Sequence, residues 1–284
     1  MNAPSKIDVH INLLPPSFIG ADSSLFSGET ASFQRSFKIG AAHRLHAQCA
    51  EESVLEYIVK NDVFKAICFP YQFQNHAFCQ MANAHVGEVV QRHIGALRGM
   101  VVLQPRDPRA PSELEGWLDK TGIIGLKVKP KWGGFSLSDL SVMGALCEVL
   151  IEKNGVLLTH VSQNFHSSEG DSVSDLVELL RSFPRLKIIA AHLGGFIDVY
   201  SQHEPIGKLL RNLAIDISLP NNLQWLPSLV RLGGSCGYLY GSDFPYVRIE
   251  EMNERIQKSG LKSSEVASIF RENADRFLAG VRNW

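Results

Sequence analysis

Apolar and polar residues alternate at the start of the chain. In KIDVHIN (6–12), isoleucine and valine side chains alternate with Asp8, His10 and Asn12. Successive residues of a β-strand point to opposite faces, so this pattern predicts a strand with one apolar and one polar face. A polar face made of Asp, His and Asn is unusual for a solvent-exposed strand, which usually carries Lys, Glu or Thr.

Seven further β-rich runs follow, and helical patterns separate most of them. The eight predicted strands span residues 6–12, 65–70, 99–105, 122–130, 155–161, 186–192, 213–218 and 237–245. The clearest helical patterns cover residues 136–155, 172–184 and 263–280. Eight strands alternating with helices in 284 residues predict an α/β fold, a (βα)₈ TIM barrel. A doubly wound open sheet is the alternative, but the glycine-rich phosphate turn expected after its first strand is missing.

One long segment interrupts the strand–helix alternation. Residues 13–64 separate the first two predicted strands and are too many for a single helix. We therefore predict a helical insertion between strands one and two, over the mouth of the barrel. No linker or change of composition divides the chain, so residues 1–284 are predicted to form a single domain.

Composition and charge narrow the functional classes. The chain is 45% hydrophobic and 20% charged with a net charge of −1, as is typical of a soluble globular enzyme. No basic block indicates nucleic acid binding, and no apolar run approaches the roughly 18–20 residues needed to span a membrane. The five cysteines form no CxxC pair and no signal peptide is visible, which predicts reduced thiols in a cytoplasmic protein. The expected partner is a small-molecule substrate, and a homo-oligomer is left open.

Polar residues fall at the carboxyl ends of the predicted strands, where TIM barrels carry their active sites. They are His10 and Asn12 on strand one, Lys127 and Lys129 on strand four, His160 on strand five, His192 on strand six, Asp216 and Ser218 on strand seven, and Asp243 on strand eight. A single such residue is usually a cap or a satisfied polar group. Three histidines and an aspartate at the ends of four strands indicate a functional site.

These residue types fit metal-assisted chemistry. Neutral imidazoles and a carboxylate ligate Zn²⁺ and similar ions, and three protein ligands leave one position for water. Such an ion lowers the pKa of its bound water to about 7. A nearby carboxylate can then accept a proton from the water, and a further imidazole can polarise the substrate.

At this point the chain resembles the amidohydrolase superfamily. The matching segments are IDVHIN (7–12), which is similar to a DxHxH strand one, GLKVKP (125–130), TH (159–160), AHLGG (191–195), GSDFP (241–245) and IFRENADRFL (269–278). They occur in order along the whole chain, and several resemble the amidohydrolase-related branch that includes aminocarboxymuconate-semialdehyde decarboxylase and lactone hydrolases. The resemblance implies a (βα)₈ barrel with one divalent metal, most often zinc.

The resemblance also implies roles for individual residues. His10 and His160 would be metal ligands, Asp243 would be a ligand and the proton acceptor, and His192 would hold the substrate or the attacking water. Family members carry histidine where this chain has Asn12. Three roles for Asn12 are open: a weak metal ligand, a residue that holds a metal-bound water, or a substrate-binding residue at a site that has lost its metal. The metal is accordingly predicted to be weakly bound or absent.

Lys127 and Lys129 are predicted as substrate-binding residues, one of them holding an anionic group of the substrate; the alternatives are a lysine that simply caps the strand end and a carboxylated lysine that bridges two metals. The leading functional prediction is a metal-dependent hydrolase of a small lactone, amide or ester, with Asp243 as general base. The second is a non-oxidative decarboxylase of an unsaturated or aromatic acid. A non-catalytic binding protein is the third.

Overall fold

Eight parallel strands form one sheet in the order β1 to β8. The computed structural model describes residues 5–38, 45–163, 168–218, 220–233 and 237–284. The strands are β1 (Lys6–Asn12), β2 (Val63–Phe69), β3 (Leu97–Val101), β4 (Ile123–Val128), β5 (Val156–Thr159), β6 (Lys187–Ala190), β7 (Leu213–Asp216) and β8 (Tyr238–Leu239). Each lies within or across a predicted strand, so the TIM-barrel prediction is confirmed and the open sheet is wrong.

The barrel is closed where the first strand meets the last. The β8 strand has only two residues, yet the Val9 amide donates a hydrogen bond to the Tyr240 carbonyl at 3.0 Å. The backbone N–H of Asn12 donates to the Phe244 carbonyl, also at 3.0 Å. The chain beyond β8 therefore continues to pair with β1 and carries Asp243 into the mouth of the barrel.

Helices connect the strands. The α-helices of the described residues are Ala31–Lys38, Glu51–Lys60, His76–Arg92, Ala110–Leu118, Pro130–Gly133, Leu140–Glu152, Val173–Ser182, Glu204–Gly207, Leu226–Leu232, Ile249–Lys258, Ser263–Ala267 and Asn273–Leu278, and a π-helical turn, Ser268–Glu272, joins the last two. The 3₁₀ segments are Ser23–Phe26, His46–Cys49, His192–Tyr200, Lys208–Asn212 and Pro220–Trp225. A capping box begins the Val173–Ser182 helix, because Ser172 and Asp175 satisfy each other's backbone N–H groups. None of the described helices is long and apolar enough to cross a lipid bilayer.

The segment between β1 and β2 packs beside the barrel mouth. The Thr30 hydroxyl donates to the Trp132 carbonyl at 3.0 Å, and the Asn75 amide donates to the Glu29 carboxylate at 3.1 Å. These bonds link the segment to the loops after β4 and β2. The helical insertion over residues 13–64 stays a prediction, because residues 39–44 of it lie outside the described residues.

The last helix closes the barrel at the end opposite the strand-end polar residues. Ala274, Phe277 and Leu278 are buried in the same apolar cluster as the inward-facing strand residues, among them Ile7 and Val9. The ammonium group of Lys187, at the start of β6, donates to the Phe277 carbonyl at 2.7 Å. The amino ends of the strands are therefore covered, and only the carboxyl ends are open to a substrate.

Candidate active site

The carboxyl ends of the strands enclose a cavity of about 50 Å³. All seven residues predicted for the site line it: His10, Asn12, Lys127, Lys129, His160, His192 and Asp243. The rest of the wall consists of Phe69, Pro70, Tyr71, Gln72, Trp132 and Tyr246. The structure thus brings these residues together around one cavity, while their function as a site and their individual roles stay predictions.

Three of these residues could hold one metal ion. His10, His192 and Asp243 each offer a ligand atom, and these atoms lie within 4.8 Å of one another. The Nε2 atom of His10 is 3.2 Å from Oδ1 of Asp243. Two imidazole nitrogens and a carboxylate oxygen suit a divalent transition-metal ion.

A buried aspartate on β7 orients both histidines. Asp216 contacts His10 Nδ1 at 2.7 Å through one carboxylate oxygen, and its other oxygen accepts the His192 amide at 3.0 Å. The Nδ1 atom of His192 lies 3.1 Å from the Ser218 carbonyl. With Nδ1 of both rings engaged, Nε2 is the nitrogen left for an ion, the arrangement common around metal-bound histidines. The alternation in LAIDIS placed Asp216 and Ser218 at the strand end, but no role was predicted for them.

His160 stands apart from the close cluster. Its ring centroid lies 4.6 Å from that of His192, and its Nε2 atom lies 3.6 Å from Oδ2 of Asp171. Asp171 is fully buried, and neither of its carboxylate oxygens has a hydrogen-bond partner among the described residues. The close cluster thus contains His192 where the prediction named His160, and the ligand role of His160 stays a prediction.

Asn12 approaches Asp243 through its amide nitrogen. Its Nδ2 atom donates to Asp243 Oδ1 at 3.0 Å and to the Phe244 carbonyl at 2.9 Å. Two acceptors on one side fix the orientation of the amide, because a flipped group would place its oxygen against them. In this arrangement Asn12 holds Asp243 in place.

Two lysines on and just after β4 face the same cavity. Lys127 is buried with its Nζ 4.9 Å from the centroid of the Phe69 ring, and Lys129 Nζ is 3.5 Å from that of Trp132. Burial lowers the pKa of Lys127 to about 7 and that of Lys129 to about 8. An anion beside these two lysines would stabilise their charged forms.

Charges in the cluster set the protonation states of its members. Burial raises the pKa of Asp243, but His10 and His192 outweigh this effect and hold it at about 2. Burial lowers the pKa of His192 to about 4, so this imidazole is neutral at neutral pH. Burial and Lys127 act to lower the pKa of His10, yet the carboxylates of Asp216 and Asp243 leave it raised.

Backbone conformation contributes to the placement of the site residues. His192 has φ of 60° and Asp243 has φ of 53°, both in the left-handed region that non-glycine residues rarely adopt. Such strain concentrates at functional sites. A Cβ atom on Gly241 would lie 3.0 Å from the Asp216 Cβ and 3.1 Å from the His10 Cβ. The glycine of GSDFP therefore lets β8 approach the histidine and its supporting aspartate.

Comparison with known proteins supports the family resemblance. A family model described as Amidohydrolase matches residues 7–279. No curated protein sequence matches the chain.

Solved structures with the same fold include several decarboxylases. The chain is similar to 5-carboxyvanillate decarboxylase from Sphingomonas paucimobilis, with 16% identity, coverage of 96% of this chain and 98% of that one, and a TM-score of 0.77. It is also similar to 2,6-dihydroxybenzoate decarboxylase from Rhizobium, with 14% identity, coverage of 98% of this chain and 99% of that one, and a TM-score of 0.76. A third similar structure is a dihydroxybenzoic acid decarboxylase from Polaromonas sp. JS666 with bound manganese and the inhibitor 2-nitroresorcinol. Its identity is 15%, the match covers 100% of this chain and 99% of that one, and the TM-score is 0.71. At these identities the likeness shows a shared fold.

Proposed function

The chain belongs to the amidohydrolase family, and from this membership we propose that it is a metal-dependent, non-oxidative decarboxylase of a small aromatic or unsaturated carboxylic acid. The hydrolase of a lactone, amide or ester, our leading prediction from the sequence, receives no support from the solved structures named above. Those structures are decarboxylases of aromatic acids, which favours our second prediction.

The observation that carries the proposal is the pair of lysines in the cavity, of which Lys127 is buried and Lys129 is half-buried. Lys127 and Lys129 line the same space as the metal-ligating cluster. A carboxylate substrate would stabilise their charged forms and compensate the cost of burying them. A neutral lactone or amide offers no such compensation, so the lysines favour an acid.

The donor set also fits a metal. His10, His192 and Asp243 would hold a divalent ion, and the contacts of Asp216 and Ser218 would keep both imidazoles oriented toward it. Bound there, the ion would supply a Lewis acid that polarises substrate oxygens. Zinc was the predicted ion, and manganese is bound in one of the similar structures; nitrogen and oxygen donors accept either.

The chain's own residues bind the acid and supply the proton. Lys127 and Lys129 pair with the anionic substrate, and the aromatic rings of Phe69 and Trp132 flank it. When the bond to the carboxylate breaks, CO₂ leaves and the electron pair stays on the former ring or alkene carbon. That carbon takes up one proton, so an acid anion plus a proton yields CO₂ and the C–H product. We assign the proton transfer to Asp243, whose carboxylate takes up a proton from solvent when the bound anion raises its pKa and then passes that proton to the carbon.

Product analysis tests this function. The protein, loaded in parallel with Zn²⁺ or Mn²⁺, is incubated with a panel of carboxyl-labelled aromatic and unsaturated acids and with lactones and esters. Release of labelled CO₂ with the matching C–H product is the expected result. Turnover of a lactone or ester by addition of water, with no CO₂ from any acid, would contradict the decarboxylase.

A further inference from the structure

Three buried polar atoms in the cavity wall have no hydrogen-bond partner among the described residues, one of them the Tyr246 hydroxyl on the loop after β8. The other two are Oε1 of Gln72 and Nε1 of Trp132. Gln72 is 1% exposed and Trp132 6% exposed, and both line the cavity that contains the metal-ligating cluster. An unpaired buried donor or acceptor is costly, so each atom calls for a ligand or a water.

The hydrogen bonds of the Gln72 side-chain amide show which of its two polar atoms is free. Its Nε2 atom donates to the Leu103 carbonyl at 2.7 Å and to the Phe73 carbonyl at 3.2 Å. A flipped amide would place oxygen against both carbonyl oxygens, so the free atom is the acceptor Oε1. The indole of Trp132 can only donate. The segments after β2 and β4 thus contribute one acceptor and one donor to the cavity wall, and the Tyr246 hydroxyl can act as either.

The segments that carry the two side chains pack against each other. A Cβ atom added to Gly133, the residue after Trp132, would meet the Gln72 Cγ at 3.2 Å. The Tyr71 ring packs edge-on against the Trp132 ring, with centroids 5.4 Å apart. The segments after β2 and β4 therefore place an acceptor and a donor on one part of the wall, beside an aromatic surface.

We propose that Gln72 and Trp132 are specificity-determining residues that recognise a hydroxyl group on the substrate. The hydroxyl donates to Gln72 Oε1 and its oxygen accepts from Trp132 Nε1–H. A hydroxyl can do both with one atom, whereas an ether can only accept. This inference rests on the proposed function, and it narrows the substrate to a hydroxylated carboxylic acid whose hydroxyl is separate from the carboxylate held by the lysines.

Matched ligand pairs test the inference. Calorimetry measures the dissociation constants of benzoate, the hydroxybenzoate isomers and their methyl ethers for the metal-loaded protein. We expect one hydroxy isomer to bind at least about 10-fold more tightly than its own ether, the size expected for a buried hydrogen bond and its lost partner. Trp132→Phe and Gln72→Met should each bring that ratio toward one. Trp117→Phe, which changes a tryptophan outside the cavity, should leave it unchanged.

The test uses the ratio of the dissociation constants of the ether and the hydroxy acid. A loss of folded protein affects both ligands equally, so this ratio does not depend on it. Gln72→Met also loses two hydrogen bonds to backbone carbonyls, so circular dichroism must show that it folds, and Trp132→Phe tests the same ratio without that loss. Acids that bind with equal affinity as hydroxyl and ether, in every isomer, would overturn the inference and leave the decarboxylase standing. That same result is expected if only a water occupies the free atoms. A protein that binds none of the acids would overturn the proposed function itself.

Discussion

At the scale of single residues, the chemistry of the cavity depends on which atom of each polar side chain is free. Nδ1 of His10 and Nδ1 of His192 are engaged by Asp216 and Ser218, so their Nε2 atoms are the ones left for a metal ion. The Asn12 amide is engaged by Asp243. The unengaged atoms, more than the residue types, decide what the site can bind.

Asp243 is the residue whose replacement is most informative. Asp243→Asn keeps the shape and one oxygen but cannot deliver or accept the proton. CO₂ release should fall by about 10²–10⁴, the usual contribution of a positioned acid or base. The rate is measured from labelled CO₂ at equal metal occupancy, with circular dichroism as the control for folding. A near-normal rate would remove Asp243 from the proton transfer.

Asn12 tests the contact to Asp243. Asn12→Leu removes both side-chain hydrogen bonds from residue 12, one to Asp243 and one to the Phe244 carbonyl. The affinity for Zn²⁺ should fall by about 10–100-fold, as when other residues that orient metal ligands are changed. Asn12→His should instead raise the affinity, since imidazole is a better ligand for zinc than an amide. Metal titration with a competing chelator measures both, and an unchanged affinity in Asn12→Leu would contradict the positioning role.

The two cavity lysines predict the pH dependence of acid binding. Their pKa values of about 7 and about 8 mean that each is charged below its pKa and neutral above it. An anionic ligand prefers the charged lysines, so its dissociation constant should rise from about pH 6.5 to about pH 9, by up to tenfold per pH unit for each lysine above its pKa. Lys127→Met should weaken binding at the lower pH and flatten the profile. Lys153→Met, on the surface beside Asp119, should reproduce the original profile.

At the scale of elements, the helix Glu51–Lys60 supports the strand that carries His10. The Tyr57 hydroxyl donates to Asp8 Oδ2 at 2.5 Å, and the other oxygen of Asp8 accepts the amides of His10 and Ser242, each at 3.0 Å. One buried carboxylate therefore ties this helix to β1 and to the residue before Asp243.

Tyr57→Phe removes that support with little change of shape. The free energy of unfolding should fall by about 1–3 kcal/mol, because a buried acceptor loses its partner. The metal affinity should fall as well, since Asp8 positions the backbone on both sides of the cluster. Tyr238→Phe is the matched control: its hydroxyl donates to Asp198 at 2.6 Å, away from the cavity. Urea unfolding and metal titration should show a stability loss in both variants and an affinity loss only in Tyr57→Phe; an equal affinity loss would contradict the prediction.

The elements also show how far the sequence could predict this structure. Strand positions were predictable because buried parallel strands are short apolar runs, and polar residues at their ends then had to share one mouth. The position of His192 in the close cluster was not predictable, since it follows from the left-handed backbone of residues 192–196. Gln72 lies in a loop and Trp132 in the short helix Pro130–Gly133, neither of which has a periodic sequence pattern, and only the packing of these segments reveals their free atoms.

At the scale of the whole molecule, the barrel has a packed apolar interior that its own carboxyl-terminal segment covers at one end. Phe277 is 6% exposed and packs against the inward-facing residues of the strands. Phe277→Ala should lower the free energy of unfolding by about 3–5 kcal/mol, the usual cost of removing a buried ring. Trp225→Ala, at a side chain that is 56% exposed, should change it by less than about 0.5 kcal/mol. Denaturant unfolding compares the two, and equal losses would show that Phe277 is not part of the central core.

The covering of the barrel by its carboxyl-terminal segment has a consequence for the synthesis of the protein on the ribosome. The inner faces of β1 to β7 are complete long before β8 and the Asn273–Leu278 helix have been synthesised. Until then the edge of β1 that pairs with the chain around β8 is unpaired, and the apolar interior is exposed at one end. Unpaired strand edges and exposed apolar surfaces promote aggregation. The barrel can close only after β8 and the Asn273–Leu278 helix have been synthesised, so the cavity and the apolar core are completed late in translation.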